Sequence, residues 1–458
     1  MVNLSEYKNI HCIGIGGIGL SAIAEILVSR GYNVSGSDMK ESDITHKLEN
    51  KGAKIYIGHR AENVEDADLI VYSAAIAEEN PEIIRAREKN IPMKSRAEIL
   101  GTLMDEFPKS IAISGTHGKT TTTSMVSLIL EHAGLDPTIL VGGNLAEIRG
   151  NVKVGDGSYF VTEACEYRDS FLELNPYVEL ILNIDSDHLD YFKDIDHIVN
   201  SFEKFTKNIK QGGKVIAYDA NPFVKKIIKD IPEAVTYGYN YNCTYCISDV
   251  DFKSDGMPSF DIIYQGFNLG HVKLKMPGEH NILNAVGAFA CCHQMGVSAG
   301  SIIRTLSEFT GTQRRFDIVG TTDKGVELVD DYAHHPTEIK ATLEAARKLP
   351  NKKLWCIFQP HTYTRTLALF DDFAESFGDC DVLILTDIYA AREKDIYKIS
   401  SENLAEKIKS LHPDKEVYCM KDFDEIADYV TANASNGDLV ITMGAGDVYK
   451  IGNMIIGK

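Results

Sequence analysis

Short apolar runs alternate with amphipathic stretches of helical length from one end of this chain to the other, and two of the runs pass into their helices through clusters of glycine. An apolar run followed by a helix is the unit of a parallel sheet with helices packed on its faces. The sequence therefore predicts an α/β fold built mainly from parallel strands. Its 458 residues, at roughly 150 per domain, predict three domains. The stretch 104–109 (MDEFPK) reads as a linker and a third unit opens near Gly311, which divides the chain into 1–107, 108–310 and 311–458.

In the first unit, strands are expected at 9–15, 33–37, 68–73 and near 91–94, with a helix over 18–30 that Gly31 stops. The second has strands at 110–114, 159–162, 179–184 and 214–218, then an alternating region (235–275) of antiparallel character and a helix over 281–295. The third has strands at 326–329, 354–358, 382–386 and 439–442.

The first glycine cluster, residues 14–19 (GIGGIG), matches GxGxxG between a strand and a helix. Glycines there let the backbone turn tightly against a pyrophosphate, and the helix N-terminus offers free N–H groups and a positive dipole. Asp38 ends the next strand, 19 residues after Gly19, where a carboxylate accepts a hydrogen bond from a ribose hydroxyl. This predicts a site for a nucleoside diphosphate, either a dinucleotide or a nucleotide sugar.

The second cluster carries Gly115, Thr116, His117, Gly118, Lys119 and Thr120, followed by Thr121, Thr122 and Thr123. It lacks the first glycine of the strict phosphate loop, since Ile113 stands there. The working part remains: backbone N–H groups for the phosphates, Lys119 for their charge and the Thr120 hydroxyl for Mg²⁺. Glu163 ends the apolar strand YFVTEA, where a nucleoside triphosphatase carries its metal-binding acid. His188 follows another strand end beside carboxylates, a place for a second Mg²⁺, whereas Asp185 and Asp190 read as solvated loop residues and Glu166 as a neighbour of the site. Two nucleotide sites in separate domains point to an ATP-driven reaction on a nucleotide-bearing substrate.

Lys plus Arg number 47 against 66 Asp plus Glu, a net charge of −19. So acidic a chain does not hold nucleic acid through a broad phosphate-neutralising surface. The N-terminus lacks a signal-peptide pattern and no long uncharged apolar stretch crosses a membrane. With nine cysteines and no complete zinc pattern, a reduced cytoplasmic protein is expected, with Cys243 and Cys246 as incidental thiols and Cys291 and Cys292 in the core.

The segments HCIGIGGIGLSAIAEIL, SGTHGKTTTT, TEACEYRDSFLELNP, NIDSDHLDYF, PGEHNILNA, QRRFD, DDYAHHPTEI, FQPHTYTRT and TMGAGD are spread along the whole chain. Through them it resembles the Mur ligases of bacterial cell-wall synthesis, and among these the members that join L-alanine to UDP-N-acetylmuramate. The resemblance implies a Rossmann-like N-terminal domain for the UDP sugar, a P-loop-type central ATPase domain and a Rossmann-like C-terminal domain for the amino acid. It implies UDP-sugar contacts from Gly16, Gly17, Gly19 and Asp38, with Ser73, His59 and Arg96 in the same pocket. It gives the triphosphate to Gly115–Thr121, the adenine to Asn281 and Asn284, the interdomain phosphate to Arg315, and two Mg²⁺ to Thr120, Glu163 and His188. It gives the amino-acid side to His335, the second of an adjacent pair that cannot face one way on a strand, and to His361 and Arg365. Some relatives carry Arg where Thr362 stands, which shifts a carboxylate contact to Arg365.

The implied chemistry is formation of an acyl phosphate from the muramoyl carboxylate and ATP, then attack by the alanine amine, with Lys119, His188, Arg315 and His335 at the reacting groups. It requires no nucleophilic side chain. One alternative attaches a tripeptide to the same UDP sugar during wall recycling. A nicotinamide-dependent oxidoreductase would fit GxGxxG but leaves Lys119, Thr120 and Glu163 without a role. These features set no oligomeric state.

Overall fold

A computed structural model describes residues 2–457. Three sheets follow one another along the chain. The first has five parallel strands in the spatial order Lys54–Ile57, Asn33–Asp38, Asn9–Ile13, Leu69–Tyr72, Met93–Ser95. The chain starts in the middle and winds outward both ways, so a switch point, where open parallel sheets bind ligands, lies at the end of Asn9–Ile13. Ile10, His11, Cys12 and Ile13 are fully buried, as expected of a strand covered on both faces. The helix Ile18–Ser29 buries Leu20 to Leu27 and stops at Gly31. That glycine has φ +84°, and the N–H groups of Gly31 and Tyr32 return to the carbonyls of Val28 and Leu27, a Schellman closure.

The second sheet has ten strands, ordered Phe267–Lys273, Pro258–Tyr264, Tyr245–Phe252, Val235–Gly238, Lys214–Tyr218, Val178–Ile181, Lys109–Ser114, Tyr159–Glu163, Thr138–Leu145, Gly150–Lys153. Its centre is parallel, and it ends in antiparallel strands on both sides. The third sheet has six strands, ordered Asp317–Thr321, Glu327–Asp331, Leu439–Met443, Leu354–Phe358, Val382–Leu385, Glu416–Cys419, all parallel except the first pair.

Two expectations need correction. The stretch 104–109 is not a linker throughout: Met104 and Asp105 finish the helix Arg96–Asp105 and Lys109 begins a strand. The helix runs on because Leu103 and Met104 are fully buried and their burial outweighs the polar look of the segment. The region 235–275 is antiparallel only from Tyr245 onward. Val235–Gly238 is parallel to both neighbours; the helix Pro222–Ile228 carries the chain back across the sheet and makes the first of these pairings parallel.

A continuous apolar cluster joins the first and middle units, from Ile23 and Leu103 to Phe160 and Phe202. The third unit has its own clusters on the two faces of its sheet. All nine cysteines are free. Cys291 and Cys292 are fully buried, and Cys246 Sγ donates to the carbonyls of Tyr241 and Cys243. Among the described residues, no helix is long and apolar enough to cross a membrane.

Candidate active site

The strand Lys109–Ser114 lies inside the second sheet, between Val178–Ile181 and Tyr159–Glu163. Beyond it the chain turns through Gly115 and Gly118 and enters the helix Lys119–His132. Gly118 has φ +84°, and a Cβ there would stand 2.5 Å from Asn284 Oδ1, so only glycine fits. It caps the helix with no side-chain bond, which leaves the first N–H groups free for an anion. The turn is held from outside. Asn183 accepts from His117 N–H at 2.8 Å and donates to the His117 carbonyl at 3.0 Å, while Thr116 Oγ1 accepts from Asp185 N–H at 2.9 Å.

Lys119 is buried against this turn. Its ammonium donates to the carbonyls of Gly115 and Thr116 and to Glu166 Oε2 at 2.9 Å. Burial pulls its pKa down, but Glu166 and neighbouring charges outweigh burial, and the net shift is upward. Glu166 is only 3% exposed, so it is a direct partner of the phosphate-loop lysine rather than a bystander. The four threonines at 120–123 are all buried within the helix.

Glu163 accepts from Gly142 N–H at 2.5 Å. A Cβ on Gly142 would collide with that carboxylate, and one on Gly143 would press on the methyls of Thr120 and Thr312. Thr120 and Glu163 thus flank one glycine pair. Hydroxyl and carboxylate oxygens suit a hard cation such as Mg²⁺, and these donors fit it. His188 adopts φ +54°, lies 4.7 Å from the Tyr167 ring at a tilt of 39° and is 3.8 Å from Asp187 Oδ2. Its imidazole is a less usual partner for Mg²⁺ than an oxygen donor.

A cavity of ≈ 410 Å³ opens between the middle and third units. Its lining includes His117, Gly118, Thr121, Asn281, Asn284 and Arg315. Asn281 donates to the Pro277 carbonyl at 2.7 Å and accepts from Asn284 at 3.1 Å, so its amide holds the wall together. Arg315 reaches Thr120 Oγ1 at 3.5 Å and lies over the Tyr332 ring. Its neighbour Arg314 pairs with Asp330 inside the third unit.

The seam beside this cavity is polar. His117 bonds Asp185 through Nε2 at 3.1 Å and Glu338 through Nδ1 at 3.2 Å. Burial pushes the imidazole pKa down, but the two carboxylates outweigh it and hold it up at about 9. The same bond to His117 pulls Asp185 well below the usual carboxylate range, against burial, with help from the Thr337 hydroxyl at 2.7 Å. Asp185 is therefore not a solvated loop residue: its charge is fixed in the seam. Asp190 is exposed and accepts from the Tyr167 hydroxyl. His335 is 4% exposed; its ring bonds the Ser186 carbonyl at 2.9 Å and accepts from Thr337 N–H. Its partner His334 lies on the other side, bonded to the Tyr332 carbonyl.

A second cavity, ≈ 1010 Å³, is walled by all three units: residues 74–78 of the first, Tyr167, Arg168 and 187–190 of the middle, and His361, Arg365 and Arg392 of the third. Arg365 donates from Nη2 and Nε to Asp187 Oδ1 at 2.9 and 3.1 Å and contacts His361 Nδ1 at 3.1 Å. Burial drives the Asp187 carboxyl up, but Arg365 together with the neighbouring His188, His334 and His335 outweighs it and holds the group ionised. Burial, with Arg365 beside it, lowers His361 to about 4, a neutral ring.

In the first unit, Gly16 N–H donates to Asp38 Oδ2 at 2.9 Å and Met39 N–H to Oδ1 at 2.8 Å. Asp38 therefore closes the glycine turn with its own carboxylate. Gly17 caps the following helix. Gly19 lets Arg96 lie close, since a Cβ there would be 3.1 Å from Nη1. Ser73 accepts from Ala75 N–H just ahead of the residues that wall the larger cavity. His59 turns Nδ1 to Glu82 at 2.7 Å, inside a buried group with Ser37, Asn63 and His11. Burial pushes the Glu82 carboxyl up, but bonds from His11, Ser37 and Asn63 outweigh it and hold it at about 2.

Residue patterns alone missed Asn183, Asp187, Glu338 and the Lys119–Glu166 pair. DSDH and the glutamate of HHPTE show charge, but their partners are distant in sequence.

Comparison with known proteins identifies the family. Residues 9–108 match the family described as Mur ligase family, catalytic domain, residues 113–292 the Mur ligase middle domain and residues 314–446 the Mur ligase glutamate ligase domain. The chain is 50% identical to a UDP-N-acetylmuramate–L-alanine ligase of Alkaliphilus metalliredigens, covering 100% of this chain and 99% of that protein. It is 49% identical to one from Acetivibrio thermocellus, covering 99% and 96%. The crystal structure of a UDP-N-acetylmuramate–alanine ligase from Thermotoga maritima superposes with a TM-score of 0.83 at 30% identity over 98% of both chains. A murein peptide ligase from Psychrobacter arcticus shares the fold, with a TM-score of 0.73 at 24% identity over 98% of both chains. With three consecutive family matches over the three sheets, and relatives of about half identity along the full length, the chain belongs to the Mur ligase family.

Proposed function

We infer that the chain joins L-alanine to the carboxylate of UDP-N-acetylmuramate at the expense of ATP, a step in making peptidoglycan precursors. The observation that carries this reading is the ≈ 1010 Å³ cavity to which all three units contribute, as a reaction between three separately held substrates requires. The full-length likeness to alanine ligases supports L-alanine as the amine, ahead of a tripeptide.

A carboxylate is a poor electrophile. Attack of one of its oxygens on the terminal phosphorus of ATP releases ADP and gives an acyl phosphate. The alanine amine then adds to the carbonyl, and phosphate leaves with the former carboxylate oxygen. Positioning and charge stabilisation are the protein's main contributions. In this reading the free N–H groups of 118–121 and Lys119 hold the triphosphate, with Lys119 leaving Glu166 for it. Asn284, Arg315 and the walls of the smaller cavity hold the rest of the nucleotide. The glycine turn at 14–19, with Arg96 and Ser73, holds the UDP sugar, while Arg365 and His361 face the amino acid. Thr120 and Glu163 hold one Mg²⁺, and His188 is the site of a second. Bound there, the metal stabilises negative charge on the phosphoryl oxygens.

Phosphate release measured with UDP-N-acetylmuramate and L-alanine, separately and together, tests the reading. Release that requires both, with the amide product seen by mass, is expected. Release with neither, or a product carrying a tripeptide in preference to alanine, would contradict it.

A further inference from the structure

The seam between the middle and third units holds a cluster to which the ligase reading gives no joint task. His117 Nε2 and Asp185 Oδ2 lie 3.1 Å apart, and one ring nitrogen of His335 completes a group whose ligand atoms all fall within 4.8 Å of one another. Among the described residues this is the one such gathering of three His, Cys, Asp or Glu ligand atoms. Two imidazoles and a carboxylate suit Zn²⁺ and its neighbours in the first transition series, whereas Mg²⁺ prefers oxygen alone.

The surroundings match as well. A metal-binding histidine typically gives its other ring nitrogen to a carboxylate or a backbone carbonyl, which fixes the ring and its tautomer. His117 turns Nδ1 to Glu338 at 3.2 Å, and His335 turns Nε2 to the Ser186 carbonyl at 2.9 Å. Thr337 donates its hydroxyl to Asp185 Oδ2 at 2.7 Å, and its N–H, 3.3 Å from His335 Nδ1, holds the lone pair that a bound ion would take over. A bound ion would thus take the place of the proton between His117 Nε2 and Asp185 Oδ2 and of the Thr337 N–H on His335 Nδ1.

We propose that His117, Asp185 and His335 form a site for a divalent transition-metal ion of the Zn²⁺ type, which clamps the phosphate loop to the third unit. Three protein ligands leave a fourth position for water. His117 and Asp185 belong to the middle unit and His335 to the third, so a bound ion fixes one on the other. Product release from an enclosed site needs its walls to part, and the ion therefore slows turnover. That brake, unlike the binding itself, rests on the ligase reading.

Calorimetric titration of the full chain with Zn²⁺ in excess Mg²⁺, and visible absorption with Co²⁺ as the probe, test the site. One ion per chain is expected, with a Co²⁺ spectrum of nitrogen and oxygen donors. Asp185→Asn and His335→Asn should abolish it. Glu338→Gln, which keeps all three ligands, should weaken it by about 10- to 100-fold and keeps the test valid if a ligand variant fails to fold. Undiminished affinity in Asp185→Asn or in Glu338→Gln would overturn the site. So would a thiolate spectrum lost in Cys243→Ser/Cys246→Ser, or no Zn²⁺ binding beyond what Mg²⁺ displaces. Zn²⁺ that binds as expected yet leaves turnover unchanged overturns the brake alone, and a chain that binds Zn²⁺ but makes no amide overturns the ligase reading and not the site.

Discussion

Both ends of the Asn183 side chain are committed to the backbone of His117, so one amide sets the curvature of the phosphate loop. Asn183→Ala removes two hydrogen bonds and leaves the turn to find its shape on binding. A rise in KM for ATP of roughly tenfold, about 1.4 kcal/mol, is expected. An unchanged KM in steady-state assays would show that the loop holds itself. Lys119 is a simpler case. Lys119→Ala should lower turnover by at least about 100-fold while calorimetry shows UDP-N-acetylmuramate bound almost as before, since that ligand is assigned to another unit. Retained turnover would refute the phosphate role.

Glu179 is fully buried next to the same strand, where Ser114 donates to it. Burial pushes its pKa up to about 8, against the pull of that hydroxyl. The folded protein keeps this proton at pH 7 while the unfolded chain releases it near pH 4.5. Stability contributed by the bound proton is therefore complete below pH 4.5 and is lost as pH rises to about 8, by about 1.4 kcal/mol for each unit. Glu179→Gln should flatten the fall of thermal midpoint between pH 5 and 8; parallel curves for the two proteins would contradict the assignment.

At the scale of elements, the helix Arg96–Asp105 lies so close to the segment Tyr167–Glu173 that a Cβ on Gly101 would stand 2.0 Å from the Glu173 carbonyl oxygen. Glycine in a helix interior ordinarily costs stability relative to alanine. Here the order reverses: Gly101→Ala should destabilise by about 1–3 kcal/mol, read as a lower urea midpoint, and an unchanged or higher midpoint would show that the two elements can part without cost. The sequence announces such helices through their apolar spacing, and the central strands through runs such as LWCIF at Leu354–Phe358, every residue of which is buried. It is silent on several edge strands. Lys54–Ile57, Asp317–Thr321 and Glu416–Cys419 are half-buried or exposed along much of their length, so at most a three-residue apolar run marks them. Thr120 to Thr123 are another limit: their intrinsic preference opposes a helix, and burial overrides it.

Across the whole molecule, the glycine turns and the acids at strand ends were readable because backbone geometry fixes them locally. Glu163 and Thr120 flank the Gly142–Gly143 pair, and His188, His361 and Arg365 line one cavity. What could not be read was the counter-charge. Arg365 meets Asp187, and His117 meets Glu338, across separations that no local pattern spans. These pairs also show how a net charge of −19 is compatible with anionic substrates: positive charge is concentrated at a few buried points, each paired with a carboxylate. The account stands on the claim that the sugar-bound carboxylate itself takes the phosphoryl group. UDP-N-acetylmuramate labelled with ¹⁸O in both carboxylate oxygens, turned over with ATP and L-alanine, tests this by mass analysis of the released phosphate. One ¹⁸O in each phosphate is predicted; phosphate free of label would contradict it.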